Sequence, residues 1–136
     1  MYPKQVLSLL CYFVVCAVLI FMYGNYRCDN PDFKDPLQTK LGIWDLDGWS
    51  LSHLLFYMFI GYHFKGKYLI AAFLLGVLWE LFEHYCGSTG TPPPWLVGDC
   101  STDPLEGNWW YGKWSDIVIN LIGLVLGSHL LKKIIR

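Results

Sequence analysis

Charge is scarce in this chain. Of its 136 residues, 15% are Asp, Glu, Lys or Arg, against roughly 25% in an ordinary soluble domain. Ten basic and eleven acidic side chains give a formal net charge of −1, so no overall attraction to polyanions exists. That excludes a nucleic-acid binder. The low charge and a hydrophobic content of 54% also exclude a disordered tail and an ordinary cytosolic enzyme. No Cys-x-x-Cys pair occurs, which argues against a structural zinc site. The chain also lacks an Asn-x-Ser/Thr sequon, an internal repeat and a low-complexity tract. What is present is apolar: the mean hydropathy is +0.36, and the length allows a single domain.

Four apolar stretches predict an all-α, polytopic membrane protein of about four transmembrane helices. The whole chain, 1–136, reads as one membrane domain, with spans at about 5–24, 49–64, 68–86 and 114–131. A span needs roughly 20 residues at 1.5 Å rise each. The first and third meet this; the second and fourth are short and require flanking residues or a thinned bilayer. The first stretch has Lys4 and an apolar run, as a signal peptide would. It is longer than a typical signal core and no small-x-small site follows, so an anchor helix is expected.

The ionisable residues outside the spans separate by side. With four spans, Lys4, Lys65, Lys67, Lys132, Lys133 and Arg136 share one side and Arg27, Lys34, Lys40 and Lys113 the other. Asp29, Asp32, Asp35, Asp45, Asp47, Asp99, Asp103 and Glu106 all accompany the second group. Basic residues favour the cytoplasm. Both termini and the Lys65/Lys67 turn are therefore expected there, with the loops at about 25–48 and 87–113 outside or in a lumen. Thr91-Pro92-Pro93-Pro94 excludes helix from the second loop. Trp44, Trp49, Trp95, Trp109, Trp110 and Trp114 suit an aromatic belt at the outer interface. Cys11 and Cys16 read as small apolar residues of the first span. Cys28, Cys86 and Cys100 lie where oxidation is permitted. Cys86–Cys100 is the preferred pair because it would pin the proline-rich loop; three free thiols are the alternative.

Five Asp, Glu or His side chains fall toward the outer ends of the spans: His53, Glu80, Glu83, His84 and Asp116, with Asn120 beside the last. Charge at membrane depth costs on the order of 3 kcal/mol and faces the bundle interior. His53 is about 6 Å, Glu80 about 9 Å and His84 about 3 Å from the outer ends of their helices, and Asp116 and Asn120 lie within about 9 Å. Three helices of alternating direction thus bring polar groups to one depth. Residues three or four apart share a helix face. That rule joins Trp49, His53, Tyr57 and Gly61, then Gly76, Glu80, Glu83 or His84, and Gly87, then Asp116, Asn120, Gly123 and Gly127. The expected shape is a three-helix cone, tight at its glycine end and holding a wet polar pocket at the outer end.

Three readings of that pocket stay open. In one, the polar groups only lock the helices together, as in a structural or assembly protein of a membrane or an enveloped particle. In the second, His53, Glu80, His84 and Asp116 hold a divalent metal in a nitrogen and oxygen shell suited to zinc, iron or manganese. In the third, Glu80, His53 and Asp116 act catalytically, or the pocket binds a headgroup through Asn120, Glu83, His84, Ser52 and Tyr57. A carboxylate beside an imidazole is a plausible general base. The partners expected are membrane lipids and a lipid-linked substrate. His63 and His129 read as interfacial, and Lys132, Lys133 and Arg136 as snorkelling anchors.

Residues 47 to 131 resemble the VanZ-like group of small membrane proteins. The resemblance rests on Ser52-His53 early in a span, Gly76-Val77-Leu78-Trp79-Glu80, and Ser115-Asp116-x-x-x-Asn120-x-x-Gly123-x-x-x-Gly127. That group often has Asp-Lys shortly before the His, where this chain has Asp47-Gly48-Trp49, and an Arg where this chain has Lys113. The resemblance implies a multi-helix membrane protein.

Overall fold

The computed structural model describes residues 3–30, 32–89 and 112–134. Among them the fold is all-α. Helix α1 is Pro3–Asp29, followed by a single 3-10 turn, Pro36–Gln38. Helix α2 is Gly48–His63, α3 is Lys67–Thr89 and α4 is Trp114–Ile134. Lys4–Arg27, Lys67–Cys86 and Trp114–Ile134 are each long and apolar enough to cross a membrane. The chain is an integral membrane protein on that ground.

Helices α1, α3 and α4 run past their expected ends to Asp29, Thr89 and Ile134, whereas α2 keeps its expected length. Helix α1 continues five residues past 24, because its last turns are tied to the following loop. The Tyr23 hydroxyl donates to Asp35 Oδ1 at 2.6 Å, and the Arg27 guanidinium lies 3.3 Å from Asp35 Oδ2. Asp35 also caps the 3-10 turn through the Leu37 amide at 2.8 Å. Helix α2, in contrast, gains nothing from its flanks. It begins at an Asp47 cap and ends where Phe64 turns extended and Gly66 adopts φ +56°. Its 16 residues span about 24 Å.

Helices α2 and α4 form the closest pair. A Cβ on Gly127 would collide with the Met58 carbonyl, and one on Gly61 with the Leu124 carbonyl. These glycines let two backbones touch, as small residues do between membrane helices. Leu126–Leu131 of α4 is π-helical and carries Gly127. One turn later, Lys132 donates to the carbonyls of Gly61 at 2.9 Å and Phe64 at 3.0 Å. That satisfies the otherwise open end of α2. The expected three-way cone is therefore a two-way contact. Tyr57 extends from beside Gly123 on α4 to Gly76 on α3, and its hydroxyl donates to the Ala72 carbonyl at 3.4 Å.

Helix α1 joins this core through rings. Tyr12 packs edge-on against Phe59 at 5.2 Å and Phe64 at 6.0 Å, and Phe13 against Phe56 at 5.2 Å. Higher up, Phe21 lies 6.1 Å from Trp79 and Tyr23 5.6 Å from Trp49. Rings hold α1 off its neighbours and leave a cavity of about 420 Å³ between α1, α2 and α3. The opposite face of α1, including Leu7, Val14, Val18 and Met22, is exposed. In a membrane that face meets lipid.

Candidate intramembrane polar site

The site begins at the start of α2. Asp47 Oδ1 accepts from the Ser50 amide at 3.0 Å, and Ser50 Oγ faces the Asp47 amide at 3.4 Å. This reciprocal cap satisfies two of the amides that every helix start leaves open. It also fixes Asp47 and Ser50 as fully buried polar groups. Ser50 Oγ then donates to Asp116 Oδ1 on α4. One turn further along α2, His53 Nδ1 lies 2.9 Å from Asn120 Oδ1 on α4 and 3.6 Å from Glu80 Oε1 on α3.

Lys113, just before α4, closes the other side. Its ammonium pairs with Asp47 Oδ2 and donates to the Asp45 carbonyl at 3.1 Å. Its backbone amide donates to Glu80 Oε2 at 2.9 Å. Glu80 therefore sits at the N-terminal end of α4, where the helix dipole favours a negative group. Gly112 permits this approach, since a Cβ there would strike the Glu80 carbonyl. Glu80, Asp116 and Asn120 are 2%, 4% and 1% exposed.

His53, Glu80 and Asp116 each offer one ligating atom, and these atoms lie within 4.8 Å of one another. A candidate divalent-metal triad is thus present, built from three helices. His84, which the sequence suggested as a fourth ligand, stays outside it. It is exposed, with its Cβ and amide facing Gly112. Glu83 is also turned from the cluster and lines the cavity beside α1. His84 follows Glu80 on the same face, but one turn further on, beside Gly112, where α4 has not yet begun.

The expected wet pocket takes a different form. His53, Glu80, Asp116 and Asn120 do converge, but as a packed cluster. The adjoining cavity is largely apolar, lined by residues such as Phe13, Ala17, Ile20, Phe56 and Trp79. Of the four convergent residues, His53 stands on its wall, and Ser52, Tyr57 and Glu83 line it too. Ser52 Oγ itself donates to the Trp49 carbonyl at 2.7 Å.

Asp47, Ser50 and Lys113 were not foreseen as site residues. A signal for the first two existed: an Asp followed three residues later by Ser, directly before an apolar run, marks a capped helix start. Lys113 offered its place beside a span and its match to an Arg position of the VanZ-like group. His63 and His129 are exposed, as interfacial residues would be. Cys86 is buried. Its expected partner Cys100 lies outside the described residues, as do Trp95, Trp109, Trp110 and the proline tract.

Fold and site together define a polytopic all-α membrane protein with a buried polar cluster among its helices. Comparison of the chain with protein-family models, curated proteins and solved structures gives no match.

Proposed function

We propose that this site binds or modifies a lipid headgroup or a lipid-linked group, the apolar part of which occupies the cavity between α1, α2 and α3. The observation that carries this reading is the position of His53. Its ring contacts Glu80 and Asn120 inside the cluster and also forms part of the cavity wall. An amphipathic molecule needs such a junction: an apolar slot of suitable size with titratable groups at one end. Within this reading, Glu80, His53 and Asp116 are the chemical groups, and Ser52, Tyr57 and Glu83 face the bound molecule. Both termini and the Lys65/Lys67 turn are cytoplasmic and the site faces outward. The residues behind the VanZ-like resemblance include His53, Glu80, Asp116 and Asn120, which are the ones that converge, and this supports placing the chain near that group.

The alternative is helix locking alone. A division within the cluster speaks against it as the whole account. The Asp47–Lys113 pair and the Ser50–Asp116 bond already join α2 to α4, whereas Glu80 Oε1 is buried without a hydrogen bond. A lock alone would not leave that carboxylate oxygen unmet.

The test uses native mass spectrometry of the full chain released from membranes, to measure co-purifying lipid. Ala17→Trp fills the cavity without replacing any residue of the cluster and should abolish lipid retention. Glu80→Gln keeps volume and hydrogen-bonding capacity and should change which headgroup is retained. Equal retention of the same lipids by wild type and Ala17→Trp overturns the reading. A Glu80→Gln protein that changes only in thermal stability favours the lock.

A further inference from the structure

Charge inside the cluster does not balance. Three buried carboxylates, Asp47, Glu80 and Asp116, surround one buried ammonium, Lys113. That ammonium sits on Asp47. Glu80 and Asp116 come from different helices yet point to the same imidazole. Two carboxylates at membrane depth carry a large desolvation cost unless positive charge or protons meet them.

The second observation is the Glu80 side chain itself. Glu80 is 2% exposed, its Oε2 is anchored by the Lys113 amide at 2.9 Å, and its Oε1 has no hydrogen-bond partner. That oxygen is 3.6 Å from His53 Nδ1, too far for a hydrogen bond. One oxygen is thus fixed and the other is aimed at the centre of the triad.

We propose that His53, Glu80 and Asp116 bind one divalent cation of the manganese, iron(II) or zinc class. The ligating atoms lie within 4.8 Å of one another. Ions of this class bind N and O ligands at about 2.0–2.2 Å, which places ligands no more than about 4.4 Å apart. In a tetrahedral shell the ligands sit about 3.3–3.6 Å apart, so side-chain movements of about 1 Å draw them onto one ion. One imidazole nitrogen with two carboxylates suits this class better than magnesium or calcium, which prefer oxygen alone. Supporting contacts of the kind that orient metal ligands are in place. Ser50 Oγ holds Asp116 and the Lys113 amide holds Glu80. The cation supplies two positive charges to the Glu80 and Asp116 carboxylates. This inference is independent of whether the cavity takes a lipid.

The experiment is titration of Mn²⁺ into the full chain in detergent after chelator treatment, read by electron paramagnetic resonance. One Mn²⁺ per chain is expected, displaced by Zn²⁺, with Mg²⁺ and Ca²⁺ at least 10-fold weaker. Glu80→Gln and Asp116→Asn should each weaken binding at least 10-fold, whereas His84→Ala should bind as wild type. The bound ion should show coupling to an imidazole nitrogen, and His53→Gln should remove it. Mn²⁺ should also raise the unfolding temperature of wild type but not of Asp116→Asn, since a ligand of the folded state stabilises it. Failure to bind one Mn²⁺ or Zn²⁺ per chain at millimolar concentration overturns the proposal. So does binding that survives both Asp116→Asn and His53→Gln, or wild-type binding without nitrogen coupling. Lipid retention, measured on chelated protein, separates this outcome from the fate of the lipid reading.

Discussion

Lys113 and Asp47 form a buried ion pair between residues that immediately precede two different helices. Their side chains are 5% and 1% exposed. The pair ties the start of α4 to the start of α2, and the same lysine reaches α3 through its backbone amide on Glu80. One residue therefore registers three helices at the level of the site.

Loss of one partner leaves a buried, uncompensated charge, which costs about 3 kcal/mol or more. Lys113→Met should accordingly lower stability by about that amount in detergent unfolding. Asp47→Asn keeps the helix cap, because Asn is also a good cap, but strips the pair. The double variant Asp47→Asn/Lys113→Met should be more stable than Lys113→Met alone, since it has no orphaned carboxylate. A double variant no better than the lysine single change would show that the two residues are not coupled.

The glycine contacts make a second prediction. Gly127→Leu must displace Met58 and Tyr62 of α2, whose backbone lies where the new side chain begins. Overpacking of this kind costs about 1–3 kcal/mol, and here the obstacle is backbone, which cannot rotate away. Val118→Leu, on an exposed face of the same helix, should leave the unfolding temperature unchanged. Equal tolerance of both changes would rule out the close α2–α4 contact.

Much of this arrangement was legible in the sequence, and the reasons are physical. Apolar runs reveal helices because a bilayer demands them, and residues as expensive at depth as Glu80 and Asp116 reveal an interior face. Helical spacing then predicted that His53, Glu80, Asp116 and Asn120 would meet. His84 continues the Gly76–Glu80 row, but it lies against Gly112, ahead of the first turn of α4, and so stays outside the triad. Spacing failed for Lys113 and Asp47 because their contact joins positions 66 residues apart, and no local pattern encodes such a distance. The cavity was equally hidden. It depends on rings holding α1 away from α2 and α3, and spacing within one helix says nothing about the gap between two.

Surface charge behaves differently from the buried cluster. The Lys40–Asp45 pair lies on the exposed turn before α2, with both side chains more than 60% exposed. Lys40 holds the Asp45 carboxyl below its ordinary range. A carboxylate lowered in the folded state contributes stability above its unfolded pKa, and that stability is lost as the pH falls through the folded value. Solvent screening limits the contribution of this pair to less than about 0.5 kcal/mol. Asp45→Asn should therefore leave unfolding unchanged at neutral pH and remove at most a slight acid-side slope below the ordinary Asp range. A large loss of stability at pH 7 would mean that the turn is more tightly integrated than its exposure indicates.

Orientation is the last property open to direct test. Helix α2 runs from Gly48 to His63, so the Lys40–Asp47 turn and Lys65 are at its opposite ends. Trp44 at the tip of the turn is 85% exposed and has φ 48°, and Leu41 and Ile43 beside it are exposed as well. If α2 crosses the bilayer, a cysteine at 44 and one at 65 must label from opposite sides. In the proposed orientation the end that carries Lys65, Lys67, Lys132 and Lys133 is the cytoplasmic one. In a background with the native cysteines replaced, a membrane-impermeant maleimide added to intact cells should react with Trp44→Cys at once. Lys65→Cys should react only after permeabilisation. Reaction of both in intact cells would make α2, at 16 residues, a helix that enters the membrane without crossing it. Among the described residues the three long helices would then be the spans, and the cluster would lie where a re-entrant α2 meets α3 and α4.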